Sequence, residues 1–217
     1  MRVERFEPPE LAEAAVIVLH GADGLVRRGD AYRALARDLA GLGYRTLLPH
    51  YLECTCTGSY AFNAKPLDAL GWMAAVGEVT DRAGDVPVGL IGFSLGAYLS
   101  IAIASQDERI MAVVDCFGGL PDFAVADFDR MPPVLILHGE ADPIVPVSEA
   151  HRLAKWLTER RTEHEVKIYP GLGHDFVGAP AADARERIIA FLNGHLRGIW
   201  PAKPPVPSPT VRPAPAA

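Results

Sequence analysis

Six short apolar runs, separated along the chain by helical segments, constrain the fold more than any other feature of the sequence. Each run has the length of a buried strand rather than of a helix. The runs cover residues 14–19, 44–48, 86–91, 110–116, 134–137 and 165–169. Strands that alternate with helices build a mostly parallel sheet. We therefore predict an α/β fold with a doubly wound, mostly parallel sheet of at least six strands and helices on both faces.

The segments between the runs carry the pattern of helices. These segments span residues 30–42, 66–84, 95–105 and 182–196, and a further helix begins near Ser148, which we expect to cap it. The buried face of the first helix is predicted to hold Tyr32, Leu35, Ala36, Leu39 and Leu42. Residues 1–199 form a single predicted domain. Residues 200–217 are rich in proline and are expected to form a disordered or polyproline tail.

The sequence Gly92-Phe93-Ser94-Leu95-Gly96 joins a predicted strand to a predicted helix. A serine on such a tight turn projects its hydroxyl above the sheet. Crowding at the turn leaves no room for side chains at the flanking positions, so glycine fits there. The helix that follows directs its first amide groups and its positive dipole end toward the serine, where negative charge would form. Ser94 is therefore the candidate nucleophile.

Polar residues follow several of the predicted strands, and the carboxyl ends of parallel strands meet at one edge of a sheet. A serine nucleophile needs a base within hydrogen-bond reach, and the base needs an orienting carboxylate. Along the chain, Ser94 is followed by Asp142 and then by His174 in a Gly-x-Gly-His turn, which is the order expected for this class of fold. We predict His174 as the base and Asp142 as the acid.

Other residues compete for these two roles. Glu140 is the next candidate for the acid, and Asp115 at the end of an earlier strand is a further one. The alternative histidines are His138, which closes its strand and is expected to be structural, and three residues expected at the surface: His151, His164 and His195.

Attack on a carbonyl group creates an oxyanion, which two backbone amides are expected to hold. The N–H of Leu95, directly after the nucleophile, is the first predicted donor. The N–H of Ala22, in the His20-Gly21-Ala22-Asp23 loop after the first predicted strand, is the second, with Asp23 as the alternative. A carboxylate aimed at an oxyanion would oppose catalysis, so we expect the Asp23 side chain to point away.

The composition excludes several classes of function. The net charge is −6 and no basic stripe is present, so no nucleic-acid partner is expected. No apolar run reaches the roughly 18 residues of a membrane span. Cys54 and Cys56 are interpreted as loop thiols and Cys116 as a core residue; this pattern gives no disulfide framework and favours the reduced cytoplasm. We expect neither a metal nor an organic cofactor.

The motifs Gly92–Gly96, residues 138–146 (His-Gly-Glu-Ala-Asp-Pro-Ile-Val-Pro) and Gly173-His174-Asp175-Phe176 together resemble the α/β-hydrolase superfamily. Within it they are most similar to the dienelactone hydrolase-like branch. The resemblance covers roughly residues 12 to 197. It implies the same roles for Ser94, Asp142 and His174, with oxyanion donors at Leu95 and Ala22.

The sequence departs from that branch at two positions. The dienelactone enzymes use a cysteine nucleophile where this chain has Ser94, and they carry a substrate-binding arginine where this chain has Gly178. These differences point away from a dienelactone substrate and toward the broader esterase-like part of the branch.

The chain lacks a large insertion between residues 116 and 134, where many relatives carry a cap, so we predict a rather open site. Its walls are expected from residues 49–65 and 120–131. The candidate pocket residues are Tyr51, Tyr60, Phe93 and Phe123.

The sequence therefore predicts a soluble, cytoplasmic serine hydrolase that cleaves an ester-like bond in a small molecule through an acyl-enzyme, with no membrane partner. A thioesterase, or a peptidase or amidase, would use the same three residues, because the choice of bond depends on the shape of the pocket. A non-catalytic binding module of the same fold is the remaining alternative. Failure of a serine-directed fluorophosphonate to label Ser94 would favour that module.

Overall fold

A central seven-stranded sheet organises the chain, described here from a computed structural model that covers residues 1–55, 66–122 and 130–197. The strands are β1 (Val3–Phe6), β2 (Ala14–Leu19), β3 (Tyr44–Pro49), β4 (Val88–Phe93), β5 (Ile110–Cys116), β6 (Val134–Gly139) and β7 (His164–Tyr169). Their order across the sheet is β1-β3-β2-β4-β5-β6-β7. Only β1 is antiparallel among these pairs; the other neighbours are parallel. The predicted fold class is confirmed.

Helices cover both faces of the sheet. They are α1 (Gly29–Gly41), α2 (Pro66–Arg82), α3 (Leu95–Ala104), α4 (Ser148–Glu159) and α5 (Ala179–Leu196), with a short 3-10 helix at Tyr51–Cys54. One apolar core packs α2, α3 and α4 against the sheet. A second core packs α1 and α5 against the opposite face. The strands β2, β4, β5 and β6 are buried almost throughout between the two cores, which is why they appear in the sequence as continuous apolar runs.

Strand β1 is the element that the sequence interpretation missed. Its sequence, Val-Glu-Arg-Phe, has no apolar run, because an edge strand is covered less completely than a central one. It pairs antiparallel with β3, with Val3 opposite Pro49 and Phe6 opposite Thr46. The predicted first strand is therefore the second strand of the sheet.

Three helix predictions need correction. Helix α4 begins at Ser148 itself, Val147 is the N-cap residue, and no side chain caps the helix. Helix α5 begins at Ala179, before the predicted residue 182, because a proline fits the first turn of a helix without loss of a hydrogen bond. Leu42 lies just after α1 and is 39% exposed rather than buried.

The proline-rich segment at residues 200–217, which the sequence predicts to be a disordered or polyproline tail, lies outside the described residues. None of the helices in the described ranges combines the length and the apolar character needed to cross a membrane.

The three cysteines differ in their surroundings. Cys116 is buried in the second core, as predicted. Cys54 is exposed, and Cys56 lies outside the described residues.

Candidate active site

Ser94 stands on the turn between β4 and α3 in a strained backbone conformation, with φ 53° and ψ −118°. Such a conformation costs a non-glycine residue about 1–3 kcal/mol. The flanking glycines permit the turn. A Cβ atom at Gly92 would lie 2.3 Å from the Gly96 carbonyl oxygen, and one at Gly96 would lie 2.3 Å from the Leu19 carbonyl oxygen. The prediction that crowding requires glycine at both positions is confirmed.

Two hydrogen bonds connect Ser94, His174 and Asp142. The Ser94 Oγ atom lies 3.0 Å from His174 Nε2, and His174 Nδ1 lies 2.6 Å from Asp142 Oδ2. A carboxylate only accepts hydrogen bonds, so the Nδ1–H group donates to Asp142. His174 Nε2 then has a free lone pair that accepts from the Ser94 hydroxyl. The structure thus brings together the three residues that the sequence analysis selected, from the loops after β4, β6 and β7.

The Asp142 carboxylate is fixed by backbone groups on its other oxygen. Asp142 Oδ1 accepts from the N–H groups of Ile144 (2.8 Å) and Val145 (2.9 Å). The side chain has no exposed surface. Nearby, His138 Nε2–H donates to the Val145 carbonyl at 2.9 Å. Burial lowers the pKa of His138, so its ring stays neutral and adds no charge beside the carboxylate.

The rival carboxylates lie elsewhere. Glu140 is exposed, and its Oε2 atom accepts from the Gly171 N–H at 3.3 Å. Asp115 is fully buried, and its Oδ1 atom accepts from the Gly118 N–H at 3.0 Å. Burial raises the pKa of Asp115 to about 7. Asp115 therefore supports the turn after β5.

The rival histidines occupy other positions. His138 is buried, and its Nε2 atom lies 2.9 Å from the Val145 carbonyl and 3.5 Å from Asp142 Oδ2. His151 is exposed on α4. His164 donates from Nδ1 to the Thr162 carbonyl at 2.8 Å. His195 is partly exposed on α5, 3.8 Å from Glu163.

The loop after β2 approaches Ser94 closely. A Cβ atom at Gly21 would lie 3.5 Å from the Ser94 Cβ atom. A hydrogen bond from the Gly24 N–H to the Gly21 carbonyl (3.1 Å) closes the loop around Ala22, which lines the same cavity as Ser94. On the other side, Leu95 is the first residue of α3, where a helix leaves its N–H groups without an intrahelical acceptor.

Asp23 belongs to the same turn. It is buried, lines the cavity with Ser94, and places Oδ1 3.3 Å from where a Gly21 Cβ atom would lie. That its carboxylate points away from an oxyanion stays a prediction.

Tyr51 corrects one expectation, because it is fully buried and is absent from the described wall of the cavity. Its hydroxyl donates to the His20 carbonyl at 2.5 Å, and its ring stacks on the His20 ring at a centroid distance of 4.3 Å. In front of the loop, the Tyr32 hydroxyl accepts from the Gly21 N–H at 3.4 Å. The two tyrosines therefore hold the His20–Gly21 backbone from both sides.

A cavity of about 480 Å³ opens at Ser94 and His174. This volume is within the range of small-molecule sites. Phe93 lines it, as predicted, whereas Tyr60 and Phe123 lie outside the described residues. The described walls come from α1, α5 and the loops after β2 and β7. Most of the two wall segments that the sequence suggested, residues 56–65 and 123–129, lies outside the described residues.

Sequence reasoning missed Phe117, Phe176 and Arg28. Phe117 has a positive φ of 59°, and its ring lies 5.4 Å from that of His174 and 4.4 Å from that of Phe176. Its position directly after a strand and before Gly118-Gly119 was a usable signal. Arg28 pairs with Asp175 at 3.1 Å and so joins the loop after β2 to the His174 loop. No local pattern reveals a contact between residues so far apart in the chain.

Known proteins resemble this chain in sequence and in fold. The sequence profile of the dienelactone hydrolase family matches residues 1–190. Acyl-protein thioesterase 1 of Eremothecium gossypii is 31% identical over 121 residues, which cover 52% of this chain and 50% of that protein. The chain thus spans about half the length of that relative.

Two solved structures illustrate the likeness in fold. The dienelactone hydrolase of Anabaena variabilis superposes with a TM-score of 0.70 at 21% identity, over 90% of this chain and 92% of that one. An α/β serine hydrolase without a lid from Xanthomonas campestris gives 0.65 at 22% identity, over 93% of this chain and 90% of that one. These likenesses establish an α/β-hydrolase fold.

Proposed function

The chain belongs to the dienelactone hydrolase family, and from that premise we propose that it is a serine hydrolase that cleaves an ester-like bond in a small molecule through an acyl-enzyme. The observation that carries the proposal is the pair of hydrogen bonds that joins Ser94 to His174 and His174 to Asp142, at 3.0 and 2.6 Å. A hydroxyl, an imidazole and a buried carboxylate in this order are suited to nucleophilic catalysis.

In the first half of the reaction, Ser94 Oγ attacks the substrate carbonyl carbon while its proton passes to His174 Nε2. The imidazolium that forms is stabilised by the Asp142 carboxylate. The carbonyl oxygen becomes an oxyanion, for which the N–H groups of Leu95 and Ala22 are the proposed donors. His174 then gives its proton to the leaving oxygen, the carbon–oxygen bond breaks, and the acyl group remains on Ser94.

In the second half, a water molecule replaces the alcohol. His174 Nε2 takes a proton from the water, the resulting hydroxide attacks the acyl carbon, and the same two N–H groups hold the oxyanion. Collapse of this intermediate breaks the bond to Ser94 Oγ, which recovers its proton from His174. The carboxylic acid leaves, and no metal or redox partner enters the balance.

A thioester is the second candidate for the bond that is cleaved. The sequence similarity to an acyl-protein thioesterase favours it, and the same residues would act, with a thiol instead of an alcohol as the leaving group. We also propose a cytoplasmic location, because the exposed Cys54 is a free thiol and such thiols persist in a reducing compartment.

Replacement of the nucleophile tests the proposal. We expect Ser94→Ala to lower the kcat for p-nitrophenyl acetate on the order of 10⁴-fold or more, because no other atom takes the place of Oγ. Ser105→Ala, which changes a half-buried serine just after the same helix α3, is the matched control and should retain activity. Thermal unfolding of both variants checks that they are folded. An active Ser94→Ala enzyme would overturn the proposal.

A further inference from the structure

The cavity at Ser94 extends into a groove between α1 and α5, which we call the α1–α5 groove. Each helix contributes four positions at the spacing i, i+3, i+4 and i+7, from Ala31 to Asp38 on α1 and from Ala181 to Ile188 on α5, and α1 adds Tyr32 as a fifth. Residues at this spacing share one face of a helix. Both helices begin at the edge of the sheet that carries Ser94, so the groove leads from the hydroxyl down the side of the molecule.

Most of the side chains that line the α1–α5 groove are apolar, and several of them are small. Ala31 and Ala34 on α1 face Ala181 and Ala184 on α5, and these short side chains leave the space between the helices open. Leu35 and Ile188 add larger apolar surface, and these six side chains carry no hydrogen-bonding group. The Tyr32 side chain also lines the cavity from α1, and its hydroxyl accepts from the Gly21 N–H. Such walls favour hydrocarbon, which gains free energy when its surface leaves water.

Charged groups lie toward the far end of the groove. Arg185 Nε lies 3.0 Å from Asp38 Oδ2, so an ion pair bridges the two helices at the last α1 position. From Ala31 to Asp38 the helix rises roughly 10 Å at 1.5 Å per residue. An extended octanoyl chain has about this length. The groove therefore has a reactive end at Ser94, an apolar length, and a polar end.

We propose that the α1–α5 groove binds an unbranched alkyl chain of medium length, attached directly to the bond that Ser94 attacks. This inference rests on the proposed hydrolase function and assigns its substrate class: esters or thioesters of medium-chain fatty acids, or of medium-chain alcohols. The continuity of the groove with Ser94 and His174 makes the substrate chain its occupant.

Two series of esters of increasing alkyl-chain length test the proposal. They also show whether the bound alkyl chain belongs to the acyl group or to the alcohol of the substrate. One series varies the acyl group from p-nitrophenyl acetate through butyrate and octanoate to laurate, and the other varies the alcohol from methyl to octyl acetate. We expect kcat/KM to rise roughly tenfold or more from the shortest to the eight-carbon chain in one series, since each buried methylene adds up to about fourfold. Laurate should bring no further gain. The series that rises identifies the source, and flat profiles in both would overturn the proposal.

Blocking variants connect the preference to the groove. Ala34 is exposed on α1, so Ala34→Phe fills the groove without disturbing the core. We expect the octanoate-to-acetate ratio of kcat/KM to fall to near one, and Ala181→Phe should act likewise from the opposite wall. The matched control is Ala190→Phe, an exposed alanine of α5 outside the groove, which should keep the wild-type ratio. A wild-type ratio in both blocking variants would contradict the proposal.

A binding measurement separates failure of this proposal from failure of the proposed function. Octanoate is titrated into the Ser94→Ala protein and into Ser94→Ala/Ala34→Phe by calorimetry. Binding to the first protein and loss of binding in the second support the groove even if no ester is cleaved. Esters cleaved without chain preference, together with no octanoate binding, would overturn the groove and leave the hydrolase proposal standing.

Discussion

The Asp142 carboxylate is held by two sets of bonds with different consequences. Oδ1 accepts from the N–H groups of Ile144 and Val145, while Oδ2 accepts from His174. Because the backbone donors fix which oxygen faces the ring, the carboxylate also fixes which ring nitrogen carries the proton. The proposed role of His174 as a base depends on that choice.

Asp142→Asn tests this role. The amide oxygen should stay on the two backbone N–H groups, so the amide NH₂ would face His174 Nδ1 and force the ring proton onto Nε2. His174 then cannot accept from Ser94, and we expect kcat to fall on the order of 10³–10⁴-fold at neutral pH with a small change in KM. Steady-state kinetics on p-nitrophenyl esters measure both.

The matched control for that variant is Glu140→Gln, two residues away on the same loop. Glu140 is exposed and accepts from Gly171 instead of from His174, so we expect its kcat to change less than about threefold, as for an exposed pair. A greater loss in Glu140→Gln than in Asp142→Asn would transfer the proposed role to Glu140.

The sequence allows the candidate site residues to be predicted from two things, their order along the chain and their positions directly after strands. Ser94, Asp142 and His174 each follow a strand, so their meeting at one edge follows from a parallel sheet. The choice of Asp142 over Glu140 depends on a backbone turn, which the sequence suggests only weakly. Tyr51 was placed wrongly because its orientation depends on how the loop after β2 packs, and no periodicity encodes that.

At the scale of elements, the edge strand β1 is attached to the fold through Glu4. Its carboxylate accepts two hydrogen bonds from Arg33 of α1, both at 2.8 Å, and lies 2.9 Å from His50 Nε2. These contacts, with the Arg33 bonds the largest, lower the pKa of Glu4 from 4.5 to about 2. A strand of four residues with little apolar surface thus depends on polar contacts with its neighbours.

We expect Glu4→Gln to lower the free energy of unfolding at pH 7 by about 1–2 kcal/mol, since it removes charge-assisted hydrogen bonds that are partly exposed to water. The folded pKa is below the unfolded one, so this contribution is complete above pH 4.5 and is lost as the pH falls toward about 2. Urea unfolding across that range measures it.

Glu10→Gln serves as the control for this element, because Glu10 is an exposed carboxylate of the same N-terminal segment. It should leave the free energy of unfolding nearly unchanged. A Glu4→Gln difference that grows as the pH falls from 4.5 would contradict the assigned sign.

The central strands and most helix lengths could be predicted because burial on both faces leaves long apolar runs, as in β2 and β5, whose bounds match the prediction. Strand β1 could not, because its partners are distant side chains and an edge strand carries little apolar pattern. The contribution of α1 and α5 to the cavity was not predicted either, since it arises from the packing of the two helices and not from either helix alone.

At the scale of the whole molecule, the helices on the two faces of the sheet differ in what they form. Helices α2, α3 and α4 bury the larger core on one face, whereas α1 and α5 on the other face leave a groove that leads to Ser94. Since none of the described helices and loops forms a large cap, the substrate class is proposed to depend on these two helices. We therefore expect changes in their facing alanines to alter the chain-length preference.

Covalent labelling of Ser94 tests the central claim most directly. The full chain is treated with a fluorophosphonate, digested, and analysed by mass spectrometry, with Ser94→Ala as the control. An activated nucleophile predicts a single adduct, on the peptide that contains Ser94, and no adduct in the control. An unlabelled Ser94, or an adduct of equal yield in the Ser94→Ala protein, would contradict the claim that this serine is the nucleophile of a hydrolase.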